Sequence, residues 1–129
     1  MTTRRVFDSS ALLALIFDEP GAAKAEALLH EGEALVSAAN VAELLAKLID
    51  QGLTDAEARA VHDSLLLEVA PLSEEIALAA GRLRRQTRAL GLSLGDRCCL
   101  ALAQATGAVV VTADRPWKAL KDFRFEFIR

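Results

Sequence analysis

Ala108-Val109-Val110-Val111-Thr112, followed two residues later by Asp114, is the stretch that decides the fold. Three consecutive β-branched residues favour extended backbone. The run has no polar face, so the strand is buried on both sides, as in a parallel sheet covered by helices. Gly107 ends a helix running from Arg97 to about Thr106. On the other flank Ala113-Asp114-Arg115-Pro116 reads as a turn, Trp117 to Lys121 as a helical turn and Arg124 to Ile128 as a final strand. Arg4-Arg5-Val6-Phe7-Asp8 is a short strand ending in a carboxylate. Ser9-Ser10 offers an N-cap to a helix through Phe17, and Ala22 to His30 forms another that ends at Gly32. Ala34 to Ser37 is a second strand, and Asn40 opens a helix to about Asp50. Thr54-Asp55-Ala56-Glu57 is a capping box leading a helix to about Leu66. Leu67 to Leu72 gives a third strand. Ser73 caps a helix to Leu90, with Ile76, Leu83 and Leu90 seven apart, and Gly91 to Gly95 forms a loop. Short apolar strands alternating with helices imply β-α-β units, and so a three-layer α/β domain with a small parallel sheet flanked by helices.

The 129 residues amount to one domain, 1–129, and 53% apolar against 26% charged side chains excludes disorder. Leu and Ala supply much of the chain, which favours helices. No apolar run approaches the roughly 18–20 residues needed to cross a bilayer. Asp8 interrupts the apolar stretch behind Arg4 and Arg5 too early for a secretory signal. A cytoplasmic location follows as the expectation, and adjacent Cys98 and Cys99 suit small buried hydrophobes better than a disulfide. Net charge is −3, yet residues 1–80 hold 5 basic and 14 acidic side chains while 81–129 hold 10 basic and 4 acidic. Such polarisation sets up local fields that total charge conceals.

Four carboxylates occupy comparable places. Asp8 and Asp114 follow strands, whereas Glu43 and Asp96 lie at helix starts. In open α/β sheets the ligand site lies beyond the carboxyl ends of the strands, so the four are expected at one edge. Hard oxygen ligands without His or Cys suit Mg²⁺ or Mn²⁺, which can orient water and stabilise charge on a phosphoryl oxygen. Each acid also has a structural reading. Glu43 stands three residues after Asn40 and Asp96 three after Ser93, as in capping boxes, and Asp8 and Asp114 suit turns.

Val6-Phe7-Asp8-Ser9-Ser10-Ala11-Leu12-Leu13, the helix start at Glu43, Ser93-Leu94-Gly95-Asp96-Arg97 and Val111-Thr112-Ala113-Asp114-Arg115-Pro116-Trp117 resemble the PIN-domain ribonucleases, and within them the VapC-type toxins of bacterial toxin–antitoxin pairs. The resemblance implies an Mg²⁺- or Mn²⁺-dependent endoribonuclease with a PIN-type sheet. In it Asp8, Glu43, Asp96 and Asp114 carry the metal site, supported by the hydroxyls of Ser10 and Thr112. It further implies a homodimer and an inhibitory antitoxin whose C-terminal segment covers the groove.

Arg84, Arg85 and Arg88 share one helix, and Arg97 and Arg115 each follow a site acid. Their guanidinium forks suit RNA phosphates, although the helical group also reads as a solvated face. A non-toxin PIN nuclease of RNA processing or decay is the alternative within the family. A receiver-like signalling domain is the rival outside it, but it needs an acidic pair after strand one and a Lys-Pro after a late strand. Here Ser9-Ser10 and Arg115-Pro116 stand in those places.

Overall fold

The computed structural model describes residues 2–129. Five strands form one sheet: β1 (Arg4–Phe7), β2 (Glu33–Ser37), β3 (Glu68–Ala70), β4 (Val109–Thr112) and β5 (Phe125–Phe127). Their order is β3-β2-β1-β4-β5 and every pairing is parallel. Around it lie α1 (Ser9–Ile16), α2 (Ala22–Leu29), α3 (Ala38–Asp50), α4 (Asp55–Ser64), α5 (Glu74–Arg82), α6 (Arg84–Thr87) and α7 (Leu94–Thr106).

The two-residue period of a strand divides the core. Val6, Leu35 and Val110 face a cluster completed by Ala80 and Leu83 around α5 and by Cys98, Cys99 and Leu102 on α7. Phe7, Val36 and Val111 face the opposite cluster with Leu12, Leu28, Leu44 and Leu48 from α1, α2 and α3. Val110 and Val111 are fully buried on the two faces, as the apolar run predicts. Along the β5 side Trp117 meets Phe125 edge to face, while Phe125 is tilted against Phe123 and stacked on Phe127.

Arg5 is a cation buried in this interior. Only 5% exposed, it donates through Nε to Glu126 at 2.7 Å, and its other guanidinium nitrogens reach the carbonyl and carboxylate of Glu31. One cation thereby ties β1 to β5 and to the turn before β2. Among the described residues no helix is long and apolar enough to cross a membrane.

Several boundaries differ from the sequence reading, each for a local reason. Asp8, not Ser9-Ser10, is the N-cap of α1, its carboxylate accepting the Ala11 amide. Ser37 rather than Asn40 caps α3, which starts at Ala38. Glu43 therefore sits in the second turn, and its pairing with Asn40 is between side chains rather than a capping box. α7 begins at Leu94, three residues before Arg97, because Ser93 and Asp96 form the capping box, and this shortens the loop from Gly91. The helix expected from Ser73 to Leu90 breaks after Arg82 into α6 and a 3-10 turn at Arg88–Leu90. There Thr87 bends its hydroxyl back to the Leu83 carbonyl, a bond that often bends helices. The third and last strands are trimmed to their paired residues, and the turn at Trp117 is a 3-10 helix over Arg115–Ala119.

Candidate active site

From β1 the chain winds toward β2 and β3 on one side, while β4 and β5 lie on the other. The crevice at the carboxyl ends of β1 and β4 is thus the topological switch point, the usual ligand position in an open α/β sheet. Parallel register aligns Phe7 with Val111, so Asp8 and Thr112 emerge side by side. Asp8 is 1% exposed. Thr112 donates its hydroxyl to Asp8 Oδ2 at 2.6 Å, Ser10 donates to Oδ1 at 2.8 Å, and the Ala11 amide donates to Oδ1 at 2.9 Å. Both hydroxyls are oriented from behind. The Ala113 amide donates to Ser10 Oγ and the Asp114 amide to Thr112 Oγ1, each at 3.0 Å, so each hydroxyl turns its proton toward Asp8.

Glu43 is placed by a second network. Its Oε1 accepts from Ser9 Oγ at 2.9 Å and from Asn40 Nδ2 at 3.0 Å. Asn40, fully buried, also donates to Ser9 Oγ and accepts the Ser37 hydroxyl. Asp96 accepts the Ser93 amide on Oδ2, which meets its structural reading and occupies only one of its oxygens. Asp114 is exposed beyond β4.

Burial and neighbouring charge raise the proton affinity of two of these carboxylates, Asp8 and Asp114. Burial pushes Asp8 up to about 7 against the pull of its hydrogen bonds, and Asp114 adds a smaller rise. Asp114 is itself raised, first by burial and then by Asp96, with Arg129 opposing. Below them Cys99 is held well above a normal thiol by burial and by the charges of Asp8, Asp96 and Glu43. All four acids therefore share one edge, as expected. They do not close on one point: among the described residues no three acidic, His or Cys side chains form a ready-made cage for an ion. The donor set nonetheless fits a divalent cation. Its oxygens are hard, Asp8 is buried with no cationic side chain among its hydrogen-bond partners, and Mg²⁺ keeps several waters while binding through one or two carboxylates.

The basic residues divide. Arg82 and Arg85 line a groove with Gln104, eight residues and so about 12 Å further along α7 than Asp96. Arg84, Arg85 and Arg88 are exposed. Arg97 turns inward, Nη1 donating to the Ala80 carbonyl at 3.1 Å, rather than outward to solvent. Arg115 is on the acid edge, lying over the Phe127 ring and donating to the Arg129 carbonyl.

Sequence reasoning missed Ser9, Asn40, Lys47 and Arg129. The spacing of Ser37, Asn40 and Glu43, three apart, was the available signal for the network around Glu43. For the cations there was none, because α3 and the last residue meet only in space. Lys47 and Arg129 line a groove of about 290 Å³ with Ser10, Leu13, Phe17 and Gln51, opening beside the acids.

Comparison with known proteins gives a consistent answer. Over 97% of this chain and 98% of the other, the fold is similar to a toxin–antitoxin complex from Klebsiella pneumoniae, at 19% identity and a TM-score of 0.76. DNA-bound VapBC from Salmonella typhimurium matches at 19% identity and a TM-score of 0.74, over 98% and 99% of the two chains. The Sarcin-Ricin loop cleaving toxin VapC20 of Mycobacterium tuberculosis matches at 15% and 0.69, over 89% and 93%. No curated protein sequence matches significantly. The sequence model of the PIN domain matches residues 5–122, which take in four of the five strands, β1 lacking only its first residue, with the switch point and all four acids. A receiver domain is thereby set aside: the chain belongs to the PIN-domain family.

Proposed function

We propose that this PIN domain is a divalent-metal-dependent endoribonuclease acting as the toxin of a toxin–antitoxin pair. The observation that carries the reading is Asp8, a buried carboxylate at the switch point whose proton affinity is raised and whose neighbours are further acids. Such an edge is short of positive charge in a way that a hard cation and a phosphate-bearing substrate together satisfy. Asp8, Glu43, Asp96 and Asp114 would hold Mg²⁺ or Mn²⁺, directly or through water. When bound, the ion supplies activation of water and neutralisation of charge on the phosphoryl oxygens. Ser10 and Thr112 fix the Asp8 carboxylate, and Ser9 and Asn40 fix that of Glu43. No side chain here requires a covalent intermediate, since in-line displacement at phosphorus depends on positioning and charge stabilisation.

The toxin role, a cytoplasmic site of action, homodimerisation and an antitoxin partner are drawn from the resemblance, and the toxin–antitoxin complexes that share the fold support the toxin role and the antitoxin partner. Induced expression should halt growth, and co-expression of a cognate partner should relieve the arrest. Metal-dependent RNA cleavage without any growth effect would assign the chain to RNA processing or decay instead.

A divalent ion that binds only the folded site stabilises by about 2.7 kcal/mol at a hundredfold excess over its Kd. Millimolar Mn²⁺ should therefore raise the melting temperature by roughly 5–10 °C over chelator. Identical melting curves would reduce the acids to caps and turns.

For RNA phosphates, Arg115, Lys47 and Arg129 stand nearer the acids than do Arg82 and Arg85. Replacing the three by Ala should flatten the slope of log affinity against log salt by about 2, at roughly 0.7 per lost contact on single strands. The Arg84, Arg85 and Arg88 triple should leave the slope in place. The reverse result would return the RNA track to the basic helix.

A further inference from the structure

Gly95 occupies the second position of α7, buried and in ordinary helical conformation, so nothing in its backbone calls for glycine. Glycine there costs helix stability, up to about 1 kcal/mol relative to Ala in a helix interior. The reason for it lies across the cleft. A Cβ built on Gly95 would fall well inside 3.0 Å of the carboxyl carbon and both carboxylate oxygens of Glu43. The Glu43 carboxylate thus rests on the bare Cα of Gly95, against the first turn of α7 and next in sequence to Asp96. Ser9 and Asn40 hold its Oε1 from the other side. The positive end of α7 favours a negative charge in that place.

We infer that Gly95 is a positioning residue: its missing side chain is the seat that sets the Glu43 carboxylate toward the metal site. The inference rests on the metal-nuclease reading above. Chemically, the seat fixes a hard anionic oxygen at the junction of α3 and α7, two elements that hydrogen bonding within each could not register against one another. Any side chain at 95 displaces the carboxylate from Ser9 and Asn40 while leaving the sheet and both cores untouched.

The test is a double-mutant cycle of Gly95→Ala and Glu43→Asp, read by calorimetric Mn²⁺ affinity, RNA cleavage and thermal melting. Gly95→Ala should stay folded and melt within a few degrees of wild type, because Ala is the better helix former and this offsets the hydrogen bonds lost at Ser9 and Asn40. It should nevertheless bind Mn²⁺ and cleave RNA at least about tenfold more weakly, the scale on which the partners that orient metal ligands act. Glu43→Asp withdraws the carboxylate by one methylene, so in that background the same Gly95→Ala change should cost less than about threefold. Equal costs in the two backgrounds, or unchanged Mn²⁺ affinity in a folded Gly95→Ala protein, overturn the seat while leaving the nuclease reading intact. A wild type that binds Mn²⁺ but cleaves no RNA removes the nuclease reading, and the affinity cycle still decides the seat. A wild type that does not bind Mn²⁺ overturns both.

Discussion

Asp8→Asn is expected to lower metal-dependent RNA cleavage by at least about a hundredfold and, without metal, to make the protein more stable at pH 8 than the wild type. The first effect follows from removing the charge of the most buried acid at the switch point, since even outer partners of metal ligands cost 10–100-fold. The second follows from linkage. Asp8 titrates at about 7 in the folded chain, and at about 3.9 when unfolded. Between those values the folded protein holds a proton that the unfolded chain lacks, so the contribution of Asp8 to stability is fully present below pH 4 and is lost as pH rises through 7. The loss is on the order of a few kcal/mol by pH 8. Asn keeps one oxygen to accept from Ala11 and Ser10, as Asp8 Oδ1 does, and sets an NH2 opposite the Thr112 hydroxyl, which can accept from it, but it has no charge to desolvate. Between pH 5 and 8, metal-free wild type should lose stability relative to Asp8→Asn, and Mn²⁺ should restore it selectively. Parallel pH profiles, or a fully active Asp8→Asn enzyme at limiting metal, would remove Asp8 from the metal site.

Arg5→Ala should destabilise by about 2–3 kcal/mol, because it removes charge-assisted hydrogen bonds to Glu126 and Glu31 and empties the buried space its stem fills. The side chain is 6% exposed and bonds two separate segments, so lost packing of its stem adds to lost charge. Its neighbour provides the control. Arg4 pairs with Glu33 at 2.9 Å, but the partners are 53% and 48% exposed, and such pairs contribute about 0–1 kcal/mol. Urea unfolding should show a large drop in midpoint for Arg5→Ala at unchanged slope, and almost none for Arg4→Ala. Equal midpoints would mean that the Arg5 pair is no more than a surface contact.

The contrast between Arg4 and Arg5 marks how far the sequence can be read. Pattern alone established the α/β class: Val109–Val111 had no polar face, strands alternated with helices, and Gly107 closed the helix that precedes that apolar strand. It also located the edge, because residues that directly follow parallel strands emerge together whatever the details of packing. Asp8, Asp114, Ser10 and Thr112 were legible for that reason, and Thr54-Glu57 because a capping box is local. Cap identity was less legible. Asp8, Ser9 and Ser10 are all competent caps, as are Ser37 and Asn40, and the choice fell to whichever residue the strand register left at the turn.

Three features belonged to the tertiary structure alone. Arg97 and Arg115 each follow a site acid in sequence, yet one turns back to the Ala80 carbonyl and the other stays at the acid edge. Helical periodicity at 3.6 residues per turn assigns a face, but which neighbour meets that face is set by helix packing. Lys47 and Arg129 share a groove only because α3 packs on α1 and the chain end beyond β5 reaches the same place. Gly95 reads in sequence as part of a loop and is in the structure the surface on which Glu43 lies. The sequence by itself determined the layers, the parallel sheet and the edge that carries the acids, because strand period and chain connectivity are local properties. The orientation of those acids, the burial of Arg5 and the fit of Gly95 to Glu43 were decided by contacts between segments far apart in the chain, where sequence spacing carries no distance.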